Sequence, residues 1–493
     1  MQLLNLIITT PSPKIRWAIF AVIALLALAV RLPQLGERPM HTDESINAWL
    51  IGQCLAGEKF HYDPQDRHGP ALAEIALPFA RLQGAKNFAD LTETQLRLTP
   101  VILGAATILL FGAAVEMLGF IPCLVAALLF AFAPLPVYFS RYFIHETLFV
   151  AATLGLILSG WRALKTNSIL SAALAGFCAA FMLACKETAA IHFFALGLIL
   201  VLAWRLNPQK KLPSAAVWLT AAGSFLVASV LLFTWFGQNL SALADLMRAV
   251  PHLAARAGGQ GHEKPFWYYA ALLAKGWSGA LLLAIAIGGF VAAARRGLPH
   301  RLLAVYALVI LAIYSAIPYK TPWLALNFWL PFALLAGFMV EWIWSAAPKA
   351  STRGAILMLG FFLAVLVARD TRQWVFKIPA GEKNPYAYAH TLEDVLDLPP
   401  RIEAVARQQH LGQPRIAVVA ADAWPLPWYL RKFPHVGYWQ PGQETGNASF
   451  YVTTTDVSGA LAQRLEKFRP EFFGVRPNVL LILWTPPATE PKP

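Results

Sequence analysis

Met40-His41-Thr42-Asp43-Glu44-Ser45-Ile46-Asn47-Ala48-Trp49 follows directly on the first long apolar segment of the chain, 16–33. An adjacent acidic pair therefore stands where a hydrophobic helix would leave a bilayer. Carboxylates are costly in hydrocarbon, and at its edge they are by default a sign of function. Beyond Asp43, the apolar residues Ile46, Trp49, Leu50 and Leu55 recur at helical spacing, which predicts a helix lying on the membrane surface. Thr42 and Asp43 are good helix caps and Glu44 suits a first turn. The pair therefore serves a helix start as readily as general acid–base chemistry.

Working outward, the chain of 493 residues is 57% hydrophobic and only 14% charged, where a soluble protein carries about a quarter charged residues. Apolar segments fall at 16–33, 97–118, 120–139, 147–164, 168–185, 189–206, 214–236, 268–293, 302–318, 323–345 and 353–369. Each is long enough, or nearly so, to cross a ~30 Å hydrocarbon core as a helix. The pattern predicts an α-helical polytopic membrane protein with about 11 transmembrane helices. The net charge of +13 sits in short loops and forms no long run, so it points to lipid head groups and loop orientation rather than to nucleic acid. Cys54, Cys123, Cys178 and Cys185 show no CxxC or Cys/His zinc spacing, so neither a disulfide framework nor a zinc site is expected.

Loop charge sets an orientation. Alternate loops carry Lys14/Arg16, Arg162/Lys165, Arg205/Lys210/Lys211, Arg295/Arg296/Arg301 and Lys349/Arg353, with Glu116 the acidic exception. The positive-inside rule makes these cytoplasmic. The outer face then receives the long loop 34–95, the stretches 140–146, 186–188, 237–267 and 319–322, and everything after about 370. Within the first outer loop a second short helix is expected at 71–83, after turns at His61-Tyr62-Asp63-Pro64 and His68-Gly69-Pro70. Residues 371–493 read as a small extracytoplasmic α/β domain, with strands at 415–420, 449–454 and 479–484 and helices at 391–410 and 457–468. Its tail 486–493 is expected to lack structure.

The chemistry-bearing groups cluster on that face. Ser140-Arg141-Tyr142-Phe143-Ile144-His145-Glu146 brings a guanidinium, an imidazole and a carboxylate together. If helical, it pairs Tyr142 with Glu146 and Arg141 with His145. Lys186-Glu187-Thr188 is either a buried ion pair or a phosphate contact. Lys320, between Tyr319 and Trp323, is either a snorkelling belt residue or a phosphate clamp.

Taken together, Thr42-Asp43-Glu44, Tyr62-Asp63-Pro64 with His68-Gly69-Pro70, the 140–146 stretch, Lys186-Glu187-Thr188, Tyr319-Lys320-Thr321-Pro322-Trp323 and Trp424-Pro425-Leu426-Pro427-Trp428-Tyr429 resemble the GT-C superfamily of membrane glycosyltransferases. That superfamily includes protein mannosyltransferases, lipid A aminoarabinose transferases and the oligosaccharyltransferase catalytic subunit. The more specific resemblance is to the archaeal and bacterial flippase activity-associated proteins. It implies a seven-span module, a variable set of later spans and an outward C-terminal domain in the cell (inner) membrane. It also implies a polyprenyl-phosphate-linked sugar as donor and a glycan, lipid or protein as acceptor. By this resemblance Asp43 is the essential first-loop carboxylate, with Glu44 supporting it. His68, Arg141, Lys186 and Lys320 are the expected lipid-phosphate contacts. His145 and Glu146 are expected at the acceptor or at a divalent metal, although no DxD is present. The rival classes are a transporter or flippase and a non-catalytic accessory protein for lipid-linked glycans. A transporter should show broken helices in corresponding halves, and no second half of this chain mirrors the first.

Overall fold

Backbone N–H and C=O groups find no water in hydrocarbon, so each apolar run must close its hydrogen bonds within itself as a helix. The computed structural model describes residues 11–487 apart from 66, 207–211, 260, 348, 456 and 458. Lys210, Lys211 and residues 488–493 of the tail therefore lie outside the described residues. Among the described residues, nine helices are long and apolar enough to span a membrane. These are Pro13–Arg31, Glu93–Leu118, Glu146–Thr166, Ala189–Leu206, Ala215–Phe233, Gly276–Ala294, Leu298–Ala316, Pro322–Ser345 and Ala350–Lys377. The other two expected segments form shorter apolar helices, Phe120–Phe132 and Ile169–Cys185. The chain is a multi-pass membrane protein.

The third segment is shortened for a local reason. Ala133 precedes Pro134 and is extended, as steric conflict with a following proline ring demands. The helix stops there, and a six-residue helix, Pro134–Phe139, restarts at once.

The chain folds as two compact units. The first takes Met1–Pro33, Lys59–Phe79 and Arg97–Lys377, and the second Gln34–Glu58, Ala80–Leu96 and Ile378–Pro493. In the first unit the helix Leu326–Ser345 is buried all round from Leu326 to Phe338, so it forms the centre of the bundle. Gly289 lets a neighbouring helix approach it: a Cβ there would lie 2.0 Å from the Leu335 carbonyl oxygen. The helix Ala350–Thr371 is the opposite case. Met358, Leu359, Phe361 and Phe362 are exposed, an apolar surface of the kind a membrane covers.

The second unit holds the helix Thr42–Leu55 and a five-stranded sheet. Its strands are β1 (Ile416–Val419), β2 (Val436–Trp439), β3 (Phe450–Thr453), β4 (Arg469–Arg476) and β5 (Val479–Thr485). Their order is β2-β1-β3-β5-β4. β1 pairs parallel with β2 and β3, while β5 pairs antiparallel with β3 and β4. The strands β1 and β3 are buried at every residue, and their continuous apolar runs gave the clearest strand signal. β2 and β4 are the edges and are only partly buried. Neither was expected from sequence, because edge strands lack that hydrophobic signal.

Candidate active site

Each unit carries its own group of polar side chains. In the first unit they come from the segment 59–79, the bend 140–146 and the turn after Cys185. The bend is not helical: residues 140–145 are irregular and the next helix begins at Glu146. The face-sharing expected of a helix there is therefore absent. Instead, Glu146 at the helix start receives the Lys186 ammonium in a buried ion pair. Glu187 turns the other way. It accepts from the Tyr62 hydroxyl at 2.6 Å and meets His68 Nδ1 at 3.1 Å. Burial alone would raise the Glu187 carboxyl, but the His68 hydrogen bond and charge and the Tyr62 hydroxyl outweigh it and hold it at about 2. Adjacent Lys186 and Glu187 therefore serve different partners.

His68 also meets the His145 ring, centroids 5.5 Å apart. His145 is buried with Nε2 3.2 Å from the Gly69 carbonyl oxygen. Burial, then the nearby His68 and Lys186, push its pKa down. The close approach is made at Gly69, where a Cβ would lie 2.2 Å from the Ala184 carbonyl oxygen. His68, His145, Glu146 and Lys186, singled out from three separated stretches of sequence, thus form one connected group with Glu187 and Tyr62. Glu74 lies in the helix that starts just beyond, Ala71–Leu82. Both its carboxylate oxygens are buried without a hydrogen-bond partner, and burial raises its pKa to about 8.

Arg141 and Lys320 are held differently. The Arg141 guanidinium donates to the carbonyl oxygens of Arg31 and Pro33, at 3.0 and 2.6 Å, and stacks 4.7 Å from the Phe376 ring centroid. It satisfies carbonyls at the C-terminus of the first span. Lys320 is fully buried and donates to the carbonyls of Ile317 and Lys264. Desolvation lowers its pKa. A backbone bridge between Glu263 and Tyr319 pins the same turn.

Inside the spans, His192 binds the hydroxyls of Tyr306 and Tyr314 at 2.7 and 3.3 Å. Sequence reading missed this trio, because His192 lies in one apolar helix and Tyr306 and Tyr314 in another. An apolar cavity of about 430 Å³ reaches Tyr306 from between the helices that carry Trp161, Trp204 and Leu302.

In the second unit the acidic pair divides. Glu44 is buried and gripped by Arg38 Nη2, 3.0 and 3.1 Å from its two oxygens. Its Oε2 also accepts the His41 backbone N–H at 3.1 Å. Asp43 keeps 46% of its side chain exposed. Of the two carboxylates, Asp43 is the one presented. The aromatic stretch near 424–429 is largely structural: Trp428 is buried and donates to Glu93 at 2.7 Å, and the Tyr429 hydroxyl accepts the Met40 N–H at 2.8 Å. Among the described residues no three His, Cys, Asp or Glu side chains gather as a metal-binding group. His145 and Glu146 in particular face a backbone carbonyl and an ammonium, so this donor set does not fit a resident divalent ion.

Residues 80–234 match the family model of dolichyl-phosphate-mannose-protein mannosyltransferase. No curated protein sequence matches the chain. The fold is similar to that of ArnT from Cupriavidus metallidurans. With the form bound to undecaprenyl phosphate the identity is 13%, the TM-score 0.66, and the likeness covers 94% of this chain and 97% of that one. With its apo state the identity is 15%, the TM-score 0.65, and the shares are the same. The Archaeoglobus fulgidus oligosaccharyltransferase AglB, in complex with an inhibitory peptide and a dolichol-phosphate, is similar at 13% identity and a TM-score of 0.54. That likeness covers 93% of this chain and 74% of AglB. The chain has an ArnT-like GT-C fold, the fold that the resemblance read from its sequence implies.

Proposed function

We propose that the protein is a glycosyltransferase that moves a sugar from a polyprenyl phosphate to an acceptor hydroxyl at the outer face of the cell membrane. The acceptor oxygen attacks the anomeric carbon, the carbon–oxygen bond to phosphate breaks, and the electron pair leaves with the polyprenyl phosphate. The acceptor proton passes to the Asp43 carboxylate, acting as general base. The observation that carries this role is the division of the acidic pair: Glu44 is locked by Arg38 while Asp43 stays half-exposed. Charge developing on the leaving phosphate calls for waiting cations, and His68, Arg141, Lys186 and Lys320 are the groups assigned to it. Lys186 and His68 already hold carboxylate partners, so a phosphate would compete for them. Support for this donor class comes from the family model and from the undecaprenyl phosphate bound by ArnT.

The test is release of undecaprenyl phosphate by the full chain in nanodiscs, offered a panel of undecaprenyl-phosphate-linked hexoses and pentoses. Asp43→Asn is expected to lower turnover about 10²–10⁴-fold with an unchanged melting profile. Undiminished turnover in that variant removes Asp43 from the base role.

A further inference from the structure

We infer that His41 is the positioning residue for Asp43, acting through a fixed neutral tautomer; this rests on the transfer chemistry proposed above. His41 is 4% exposed and stands at the N-cap of the helix Thr42–Leu55. That position ordinarily goes to short side chains with an oxygen acceptor. Here the acceptor is a ring nitrogen: Nδ1 receives the Asp43 backbone N–H at 3.1 Å.

The other ring nitrogen fixes the proton. His41 Nε2 lies 3.1 Å from the Tyr388 carbonyl oxygen. A carbonyl only accepts, so Nε2 carries the hydrogen and Nδ1 the lone pair. One donor and one acceptor, held by opposite sides of the ring, select a single tautomer of a neutral imidazole.

The surroundings hold the ring still. The His41 backbone N–H donates to Glu44 Oε2 at 3.1 Å, and Arg38 grips that same carboxylate. The Ser45 hydroxyl donates to the His41 carbonyl at 3.0 Å. From the segment that carries Tyr388, the Thr391 hydroxyl donates to the Met40 carbonyl at 2.6 Å. Ala389, between Tyr388 and His390, has φ +45°, a left-handed conformation that a residue with a Cβ adopts only when its neighbours impose it. The His390 ring lies 5.6 Å from that of His41. All of these residues belong to the second unit.

The consequence falls on Asp43. Its Oδ1 lies 3.9 Å from His41 Nδ1. While Nδ1 bears a lone pair, the ring offers the carboxylate no proton, and the carboxylate remains an acceptor for substrate. If Nδ1 takes a proton, the Asp43 N–H loses its acceptor and the carboxylate gains a charged donor beside it. Both changes pull the base away from its task. The titratable or charged groups that face or adjoin this ring are Asp43, Glu44 and Arg38 on its own segment, Tyr388 and His390 on the 384–391 segment, and Tyr429 from the short helix Leu426–Tyr429.

The experiment uses the nanodisc assay with whichever undecaprenyl-phosphate-linked sugar the wild type turns over. His41→Ala removes both contacts, whereas His41→Asn restores a side-chain oxygen that can accept the Asp43 N–H. His41→Ala is expected to lose about 10–10²-fold in kcat with KM for the donor within about two-fold. His41→Asn is expected to regain most of that loss, again with KM for the donor within about two-fold. Melting curves and gel filtration show whether each variant is folded. A kcat for His41→Ala equal to wild type overturns the assignment. So does a folded His41→Asn whose kcat is no higher than that of His41→Ala. If His41→Ala fails to fold, His41→Asn alone decides: a kcat within about tenfold of wild type supports the assignment and a larger fall overturns it. A wild type that releases undecaprenyl phosphate from no sugar in the panel removes the transfer chemistry itself, and the role of His41 with it.

Discussion

The two polar groups of this molecule treat their charges in opposite ways. In the first unit, Lys186 is sealed against Glu146 and His68 against Glu187, while Arg141 and Lys320 turn to backbone carbonyls. In the second unit, Arg38 pairs with the buried Glu44, while its neighbour Asp43 stays half-exposed beside the His41 ring. The contrast teaches that adjacent charges in a sequence are poor guides to pairing. Lys186-Glu187 and Asp43-Glu44 are both neighbours, and in both cases the two members face different partners. One arrangement stores charge and the other presents it.

The sharpest way to break this comparison is to remove the cation of the sealed pair. Lys186→Met leaves Glu146 buried without its partner, which costs about 3–5 kcal/mol for a buried ion pair. The expected result is a large fall in unfolding midpoint in detergent, partly reversed by adding Glu146→Gln. A single variant as stable as wild type would show that the pair is solvated and that the two units do not differ in this respect.

Two carboxyls of the first unit sharpen the comparison by titrating in opposite senses. Glu187 is held at about 2, below its ordinary 4.5. Its contribution is full above 4.5 and is lost as pH falls towards 2, amounting to about 3 kcal/mol. Glu187→Gln should flatten unfolding stability over that window. Glu74 is raised to about 8. Folding keeps it protonated, so its effect is absent below 4.5 and increasingly destabilising as pH rises from 4.5 to 8. Glu74→Gln should therefore raise the melting temperature at pH 7.5 and leave it unchanged at pH 4. Parallel pH profiles for the two variants would contradict the environments assigned to them.

The helices were legible because a hydrocarbon core imposes one length and one hydrogen-bonding solution on every span. The helix Thr42–Leu55 was legible from Ile46, Trp49 and Leu50, and strands β1, β3 and β5 from the stretches 415–420, 449–454 and 479–484. Three things were not. The third segment breaks at Ala133-Pro134, where a proline overrides an apolar pattern that continues through Val137 and Phe139. The edge strands β2 and β4 carry too little burial to leave a pattern. The pairing of Lys186 with Glu146, 40 residues apart, depends on how two helix ends meet, and no local signal encodes that. His41 was missed for a related reason. A histidine before a good capping residue looks incidental until the Tyr388 carbonyl, 347 residues away, fixes its proton.

The smallest effect belongs to the exposed ion pair of the second unit. Arg401 meets Glu471 through two donors, Nε at 2.6 Å and Nη2 at 2.7 Å. This geometry is as good as that of any pair in the first unit, and the Glu471 side chain raises the arginine pKa. Yet the Arg401 side chain is 46% exposed, so water and salt screen the attraction and ordering two long side chains offsets part of it. Arg401→Gln is expected to cost less than about 1 kcal/mol, and the loss should shrink further in 0.5 M salt. A loss comparable to that of Lys186→Met would mean that bidentate geometry, not burial, sets the strength of these pairs. The distinction between the sealed and the presented charges would then have to be drawn on geometry alone.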